Sequence, residues 1–350
     1  MVRKVGCDPG FGGMKVAEVL DGAMRAYVVP SVVGVGTTDE GGLSLAGVVR
    51  GRRGEVPSIV AFDGVEYLVG ANVARYARPI ERMDFRRFTE GPELRALLYA
   101  ALWELLDGGD HLVALAIGLP VEVLQDRTEA AAIERAMAKW MVGEHVFWMD
   151  GVKAEFKVLN IRAKIAQPVA TWFDWGLDLE GQWSKGRDAA KAPALVVDQG
   201  FNTLDLLVVE GGRISTRYTD GETLGMRRAS EMTADNVRRR YGVELSLHEA
   251  DALVQRVVQG RSAEVYVTGD LTDVTAAVRQ ALNALATDVL RFVERKVGTG
   301  RKFRVLLTGG GALALAPRLL QAYEHAEVMA DPVLANARGL AKLATREGFL

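Results

Sequence analysis

Two short stretches of the chain combine an acid with glycines in a way that suits phosphate chemistry. In "VGCDPGFGGMKVAEV" Asp8 ends an apolar run, and Gly10, Phe11, Gly12 and Gly13 follow before Lys15. In "LVVDQGFNTLDLLVV" Asp198 ends a second apolar run, and Gly200, Phe201, Asn202 and Thr203 follow before Asp205. Glycine adopts backbone dihedrals that other residues avoid and lets a ligand come close to the main chain. A hairpin turn built this way aims its backbone N–H groups into one space, a nest for an anion. Two facing nests would grip a polyphosphate. Two carboxylates at matching strand ends suit a hydrated magnesium ion, which keeps most of its waters and needs few protein ligands. A third stretch, "LLTGGGA", carries Gly309, Gly310 and Gly311 from a buried run into a helix start, where a base and ribose can lie flat on the backbone. Each turn alone is equally an ordinary hairpin or a plain strand-to-helix turn. The repetition at matching positions is what argues for a site.

The surrounding elements repeat as well. Residues 2 to 8 alternate, and "MKVAEVL" and "MRAYVVP" read as second and third strands joined by a tight turn at Asp21-Gly22. A glycine-rich stretch, "GVGTTDEGGLSLAGVVRGRRGE", reads as a mobile loop. A hairpin around Asp63-Gly64, a helix from Pro92 with Leu94, Leu97, Leu98 and Leu105 at helical spacing, the buried strand "HLVALAIGLP", a helix to about Trp140 and the strands "HVFWM" and "KAEFKVL" complete the first half. In the second half "APALVVDQG" leads a hairpin around Gly211-Gly212, and helices are expected at about 222 to 240, 247 to 258 and 271 to 296. The tail "DPVLANARGLAKLATRE" is amphipathic, with Pro332 just inside its expected helix start. The polar run 178 to 193 reads as a surface connector. The boundary falls near Ile165, before "QPVATWFDW", which gives an α/β chain of duplicated domains: 1–165 with the C-terminal helix 332–350, and 166–331.

Bulk properties exclude several classes. The chain has 350 residues, 49% hydrophobic and 25% charged, the composition of a globular protein long enough for two cores. Lys plus Arg number 43 against 45 Asp plus Glu, a net charge of -2, so no global field draws nucleic acid or membrane. The one cysteine, Cys7, sits in a strand-like run and reads as packing. No apolar run approaches the roughly 20 residues that cross a bilayer, and the N-terminus carries no signal core, so a cytoplasmic location is expected. Four scattered histidines give no zinc pattern. Arginines interleave with aromatics in "RPIERMDFRRF", which fits a subunit contact or a solvated loop better than DNA. Most of the tryptophans between Trp140 and Trp183 are expected in the core.

The two acid-glycine loops, the second with the pattern D-x-G-x-x-T-x-D (Asp198, Gly200, Thr203, Asp205), and the triple-glycine loop resemble the phosphate 1, phosphate 2 and adenosine motifs of the actin, Hsp70 and sugar-kinase superfamily. With "QPVATWFDW" and "ANARGLAKL" as interdomain helices, the chain is most similar to bacterial and archaeal actin-like proteins of the ParM type. The resemblance implies an actin-like (ribonuclease H-like) fold around a nucleotide cleft that takes ATP or GTP with Mg2+. Asp8 and Asp198 would hold the magnesium through water, and Lys15 would reach the β and γ phosphates. Gly200, Phe201 and Asn202 would supply the second nest. Thr203 and Asp205 match the pattern but are also fit for a turn, with Asp205 a further candidate for the magnesium shell. Gly225 resembles the helix-start glycine near the phosphates and equally a packing glycine. Glu249 is a candidate contact for ribose or adenine. Gln167, at the head of the first interdomain helix, would position the hydrolytic water, and turnover would be slow.

Two departures stand out. Pro9 removes a donor from the first nest, and Phe11 occupies a position where the family usually carries a small polar residue. The resemblance further implies nucleotide-dependent filaments of this chain with itself, used in plasmid or chromosome segregation through a DNA-binding adaptor, with no direct nucleic acid or membrane contact. The alternatives are a non-polymerising ATP-binding scaffold and a small-molecule kinase with Asp63 or Asp84 as its base.

Overall fold

A computed structural model describes residues 2–36, 38, 56–80, 85–108, 111–346 and 348–350. Most of the stretch read as a mobile loop, part of the arginine-aromatic segment and Asp84 lie outside the described residues.

The fold is a mixed α/β architecture with two main sheets. The larger has nine strands in the order Ala23–Pro30, Gly13–Leu20, Val2–Pro9, His111–Leu119, Val152–Ala166, Gly143–Met149, Ser58–Phe62, Val65–Val69 and Val33–Val35. The smaller runs Arg213–Ile214, Leu204–Glu210, Ala194–Gln199, Arg304–Thr308 and Glu327–Val328, with Asp220–Glu222 paired to the start of Leu204–Glu210. Each sheet is built on one motif. An antiparallel hairpin (Val2–Pro9 with Gly13–Leu20; Ala194–Gln199 with Leu204–Glu210) carries a parallel strand on its first arm (His111–Leu119; Arg304–Thr308).

The central strands are apolar along their length because both faces are covered. On one face of the first sheet Val5, Cys7 and Val16 pack with Leu94, Leu97 and Leu98 of helix Pro92–Leu106; on the other Ala17 packs with Ala337 and Ala341 of helix Ala335–Thr345. At Gly6 a side chain would collide with the Ala337 carbonyl and the Ala341 nitrogen, so the C-terminal helix lies directly on the first strand. Burial pushes the Cys7 thiol up, which keeps it protonated and inert. Helix Gln167–Gly176 does the converse: its Trp175 packs with Val196, Leu207 and Leu306 of the second sheet. These two helices cross at Gly339, where a Cβ would overlap the Ala170 carbonyl oxygen. Arg338 and Lys342 both pair with the buried Asp174 across the crossing.

The turns expected at Asp21-Gly22 and Asp63-Gly64 form, each with two positive φ values (50° and 73°; 50° and 77°), the primed geometry that matches strand twist. Several expectations need correction. Leu271 to Asp273 are not helical; they pair with Glu264–Val267 around Thr268-Gly269, and the helix starts at Thr275, whose N–H is bonded by the Asp273 carboxylate. Glu222 is in a strand, and the next helix begins at Met226. Pro332 precedes the last helix, Ala335–Thr345, by three positions; its carbonyl accepts from the Gly309 N–H (3.0 Å) and the Thr308 hydroxyl (3.1 Å). Of the tryptophans between Trp140 and Trp183 only Trp175 is buried, and Trp148 is 43% exposed on a solvent-facing strand side.

Candidate nucleotide-binding cleft

The first hairpin is closed by reciprocal bonds between Gly10 and Gly13 (3.2 Å each way), and the Ser31 hydroxyl donates to the Gly10 carbonyl at 2.6 Å. Asp8 and Lys15 are direct cross-strand partners. Lys15 Nζ lies 3.0 Å from Asp8 Oδ2, and the Gln167 amide donates to Asp8 Oδ1 at 2.7 Å. The Asp8 carboxylate is 1% exposed and therefore has to be neutralised locally.

In the second hairpin the Gly200 N–H donates to the Thr203 carbonyl at 2.9 Å, and the residues in register are Asp198 and Asp205. Asn336 Nδ2 donates to Asp198 Oδ2 at 2.8 Å, and the Thr203 hydroxyl donates to Asp205 Oδ2 at 3.1 Å. Asp205 Oδ1 is buried with no hydrogen-bond partner among the described residues. Burial pushes the Asp198 carboxyl up to about 6, with the Asn336 bond opposing and the charge of Asp8 adding. Burial pushes Asp205 up to about 8, and the neighbouring Asp198 adds to it. The two titrate as a pair.

The two hairpins touch. A Cβ on Gly12 would sit 2.9 Å from the Cβ of Phe201, so only glycine allows this approach. The third loop closes the same space. Gly309 has φ 88°, and a side chain on it would strike Asp198 Oδ1 and the Gln199 carbonyl; the Gly311 N–H donates to that carbonyl at 2.9 Å.

Together they enclose a cavity of about 330 Å³. Asp8, Gly10, Phe11, Gly12, Gly13 and Lys15 line it from the first hairpin; Asp198, Gly200, Phe201, Asn202, Thr203 and Asp205 from the second; Gly309, Gly310 and Gly311 from the third loop. Gln167 lines it at the head of its helix. Two candidates are not brought here. Glu249 completes a capping box instead, accepting from the Ser246 N–H (2.8 Å) and hydroxyl (2.7 Å) at the start of helix Leu247–Val258. Gly225 does not line the cavity but packs on the Phe201 and Asn202 backbone, with its N–H on the Asn202 carbonyl (3.1 Å). Asp63 is a turn residue bonded by Arg95 and takes no part.

Sequence reasoning missed Asn336, Asp251 and Gln255, which also line the cavity. Asp251 and Gln255 lie two and six residues beyond Glu249 on the same helix, and the Ser230 hydroxyl donates to Asp251 at 3.1 Å. No local signal marked Asn336, which reaches Asp198 from 138 residues away in the chain. Phe11 also gains a reason. Its ring packs on Phe88 (5.3 Å between centroids) and edge-on to Phe85 (6.2 Å), so the first loop is anchored to helix Phe85–Glu90 by aromatic contact.

Two family descriptions match the chain: "Actin like proteins N terminal domain" over residues 6–169 and "Archaeal actin homologue MreB-like, C-terminal" over residues 196–321. The chain belongs to the actin-like family. No curated protein matches it in sequence. Among solved structures, this actin-like protein is similar to a 15-stranded ParM filament from Clostridium botulinum (17% identity, TM-score 0.73, covering 98% of this chain and 99% of that one). It is similar also to an archaeal actin homologue in complex with ADP (18%, TM-score 0.69, 97% and 98%) and to Bacillus thuringiensis ParM with AMPPNP (13%, TM-score 0.65, 97% of each). At such identities the likeness carries the fold, and the actin-like protein's own chemistry has to be argued from its own residues.

Among the described residues no cluster of three His, Cys, Asp or Glu forms a metal cage. The donor set suits a different arrangement. Asp198 and Asp205 sit side by side, and neither makes an ion pair among the described residues. Such a pair fits a hydrated divalent cation held through its waters.

Proposed function

We propose that this protein binds a nucleoside triphosphate, with adenine as the base and GTP as the alternative, in the cleft between the two hairpins, and hydrolyses it slowly. The observation that carries the reading is the convergence of Asp8, Asp198 and three glycine loops on one cavity. Backbone N–H groups of the hairpins and the Lys15 ammonium would hold the phosphates. Magnesium, held through water by Asp8, Asp198 and Asp205, would supply charge neutralisation at the phosphates. Asp251 and Gln255 are the candidates for the ribose hydroxyls, since a carboxylate accepts from a diol. The ADP and AMPPNP held by two similar structures support adenine.

Gln167 has a defined part. Its amide nitrogen is engaged by Asp8, which leaves its carbonyl to accept a bond from water. A fixed carbonyl orients a water for attack on the γ-phosphorus but is a poor proton acceptor, so catalysis is by positioning. The Gly339–Ala170 helix crossing is the pivot about which residues 1–165 with 332–350 would move against 166–331. Coupled to this, the protein would assemble into filaments with itself when charged with triphosphate and disassemble after hydrolysis, serving plasmid or other DNA segregation through an adaptor; the filament among its similar structures supports assembly. The second reading, a non-polymerising scaffold, differs in one measurable way. Sedimentation with ATP, GTP and ADP is expected to pellet the protein with triphosphate only, whereas nucleotide binding without pelleting favours the scaffold. Gln167→Ala is expected to keep nucleotide affinity within about threefold and slow phosphate release at least about tenfold. Release at the parent rate removes Gln167 from the mechanism.

A further inference from the structure

Outside the cleft, an open groove of about 490 Å³ lies between the end of helix Met226–Tyr241, the loop Gly260 to Ser262 and the start of helix Thr275–Val297. Three arginines line it: Arg240, Arg261 and Arg279. Their neighbours in this lobe are matched by carboxylates. Arg227 pairs with Glu231 (2.8 Å), Arg228 with Asp288 (3.1 Å), Arg238 and Arg239 with Asp235, and Arg256 with Glu264 (3.8 Å). None of the three groove arginines makes an ion pair among the described residues. Arg240 lies over the Tyr241 ring at 5.5 Å, Arg261 donates to the Gln259 side chain, and Asp273, whose carboxylate feels the charge of Arg279, accepts from the Thr275 N–H at 2.7 Å. The first N–H of that helix is thus already taken, and the guanidiniums are what the groove offers.

Beside the groove stands the hairpin of Glu264–Val267 and Asp270–Asp273, which forms a two-stranded sheet of its own. Tyr266 and Leu271 are cross-strand partners on it, 71% and 56% exposed. An apolar pair next to uncommitted arginines is the composition of a protein contact, where Tyr and Arg are enriched.

We propose that this groove and hairpin bind an acidic segment of a partner protein, one that places carboxylates on Arg240, Arg261 and Arg279 and an apolar side chain against Tyr266 and Leu271. Guanidiniums take carboxylates in bidentate pairs. A nucleic-acid backbone fits less well, because the exposed apolar pair Tyr266 and Leu271 would meet no phosphate. The inference does not depend on the nucleotide reading of the cleft.

The test uses the whole chain and a fluorescein-labelled peptide of alternating glutamate and leucine, followed by fluorescence anisotropy at low and physiological salt. Polyglutamate of equal charge and an oligothymidylate are the comparison probes. The Glu-Leu peptide is expected to bind more tightly than either. Combining Arg240→Gln, Arg261→Gln and Arg279→Gln is expected to weaken it about tenfold or more, since several ion pairs act together. Tyr266→Ser with Leu271→Ser is expected to weaken it severalfold and to remove the preference over polyglutamate. All five positions are exposed or on the hairpin surface, and unchanged melting temperatures check that the variants fold. Equal binding by parent and triple variant overturns the proposal. Tighter binding of the oligothymidylate, lost in the triple variant, overturns it in favour of nucleic acid. No peptide binding, with self-association lost in the variant, overturns it in favour of a second copy.

Discussion

The two hairpins have the same skeleton and opposite electrostatics. Both place an aspartate at a strand end, a glycine two residues on and a phenylalanine after that, and both receive an amide from the start of one of the two crossing helices: Gln167 on Asp8, Asn336 on Asp198. Seven residues beyond each aspartate lies its cross-strand partner. In the first hairpin it is Lys15; in the second it is Asp205. The first hairpin therefore carries its own counter-cation, while the second juxtaposes two buried acids that need a proton or an external cation. One fold motif, used twice, supplies a fixed positive charge on one side of the cleft and a demand for positive charge on the other. That asymmetry is what a metal–polyphosphate complex, anionic at one end and cationic at the other, would satisfy.

The largest effect should come from breaking the self-contained side. Lys15→Ala leaves Asp8 buried without its cation, and removing one partner of a buried pair costs roughly 3–5 kcal/mol, here toward the lower end because Lys15 keeps some exposure. Nucleotide affinity is expected to fall on the order of a hundredfold, since a charge-assisted contact is lost as well. Calorimetric titration and thermal melting read both. A variant that melts and binds like the parent would show that Lys15 does not serve as the counter-cation of the first hairpin.

The next effect tests the acid pair through pH. A carboxyl whose folded value lies above its unfolded 3.8 contributes stability that is fully present below the unfolded value and is lost as pH rises through the folded one. For Asp198 and Asp205 this window runs from about 4 to about 8. The nucleotide-free protein is thus expected to melt at falling temperature across that window, and Asp205→Asn to flatten the upper part of the slope. Magnesium–nucleotide binding near neutral pH should displace protons from the pair, which appears as a binding heat that depends on the ionisation enthalpy of the buffer. An unchanged slope in Asp205→Asn would place the titration elsewhere and dissolve the contrast between the hairpins.

The hairpins were legible in the sequence because their signals are local: an aspartate ending an apolar run, glycines in the turn, and alternation around Asp-Gly pairs. Lys15 was read for the phosphates and Asp205 as part of the D-x-G-x-x-T-x-D pattern; that each stands directly across from its aspartate came only with the structure. What escaped reading depends on distant packing. Asn336 reaches Asp198 across 138 residues of chain, and nothing near either announces the other. Glu249 was misread for a different reason. The sequence Ser246-Leu247-His248-Glu249 is a capping box, and the helix claims that carboxylate before any ligand can; the residues of the same helix that line the cavity, Asp251 and Gln255, follow two and six residues later. The helix expected from 271 failed at Thr268-Gly269, where a turn with positive φ makes a hairpin of a stretch rich in strand formers (Val265, Tyr266, Val267 and Thr272).

The smallest effect separates the two amides. In Gln167→Ala, Asp8 keeps Lys15, so any loss of nucleotide affinity should be small and the same at every pH. In Asn336→Ala, Asp198 loses the one hydrogen bond that opposes the upward push of burial, and the Thr171 hydroxyl loses an acceptor at 2.7 Å. The net cost of such a bond is about 1 kcal/mol, or about fivefold in affinity. It should be unevenly distributed. With the Asp198 carboxyl moved above about 6, more of it is protonated near that pH, so magnesium-dependent affinity falls further at mildly acidic than at alkaline pH. Titrations of the two variants at both pH values decide the matter: a pH-dependent loss for Asn336→Ala beside a flat one for Gln167→Ala requires the two aspartates to sit in electrostatically different hairpins, and parallel losses would mean that the helix amides, and not the cross-strand partners, set the charge state of both.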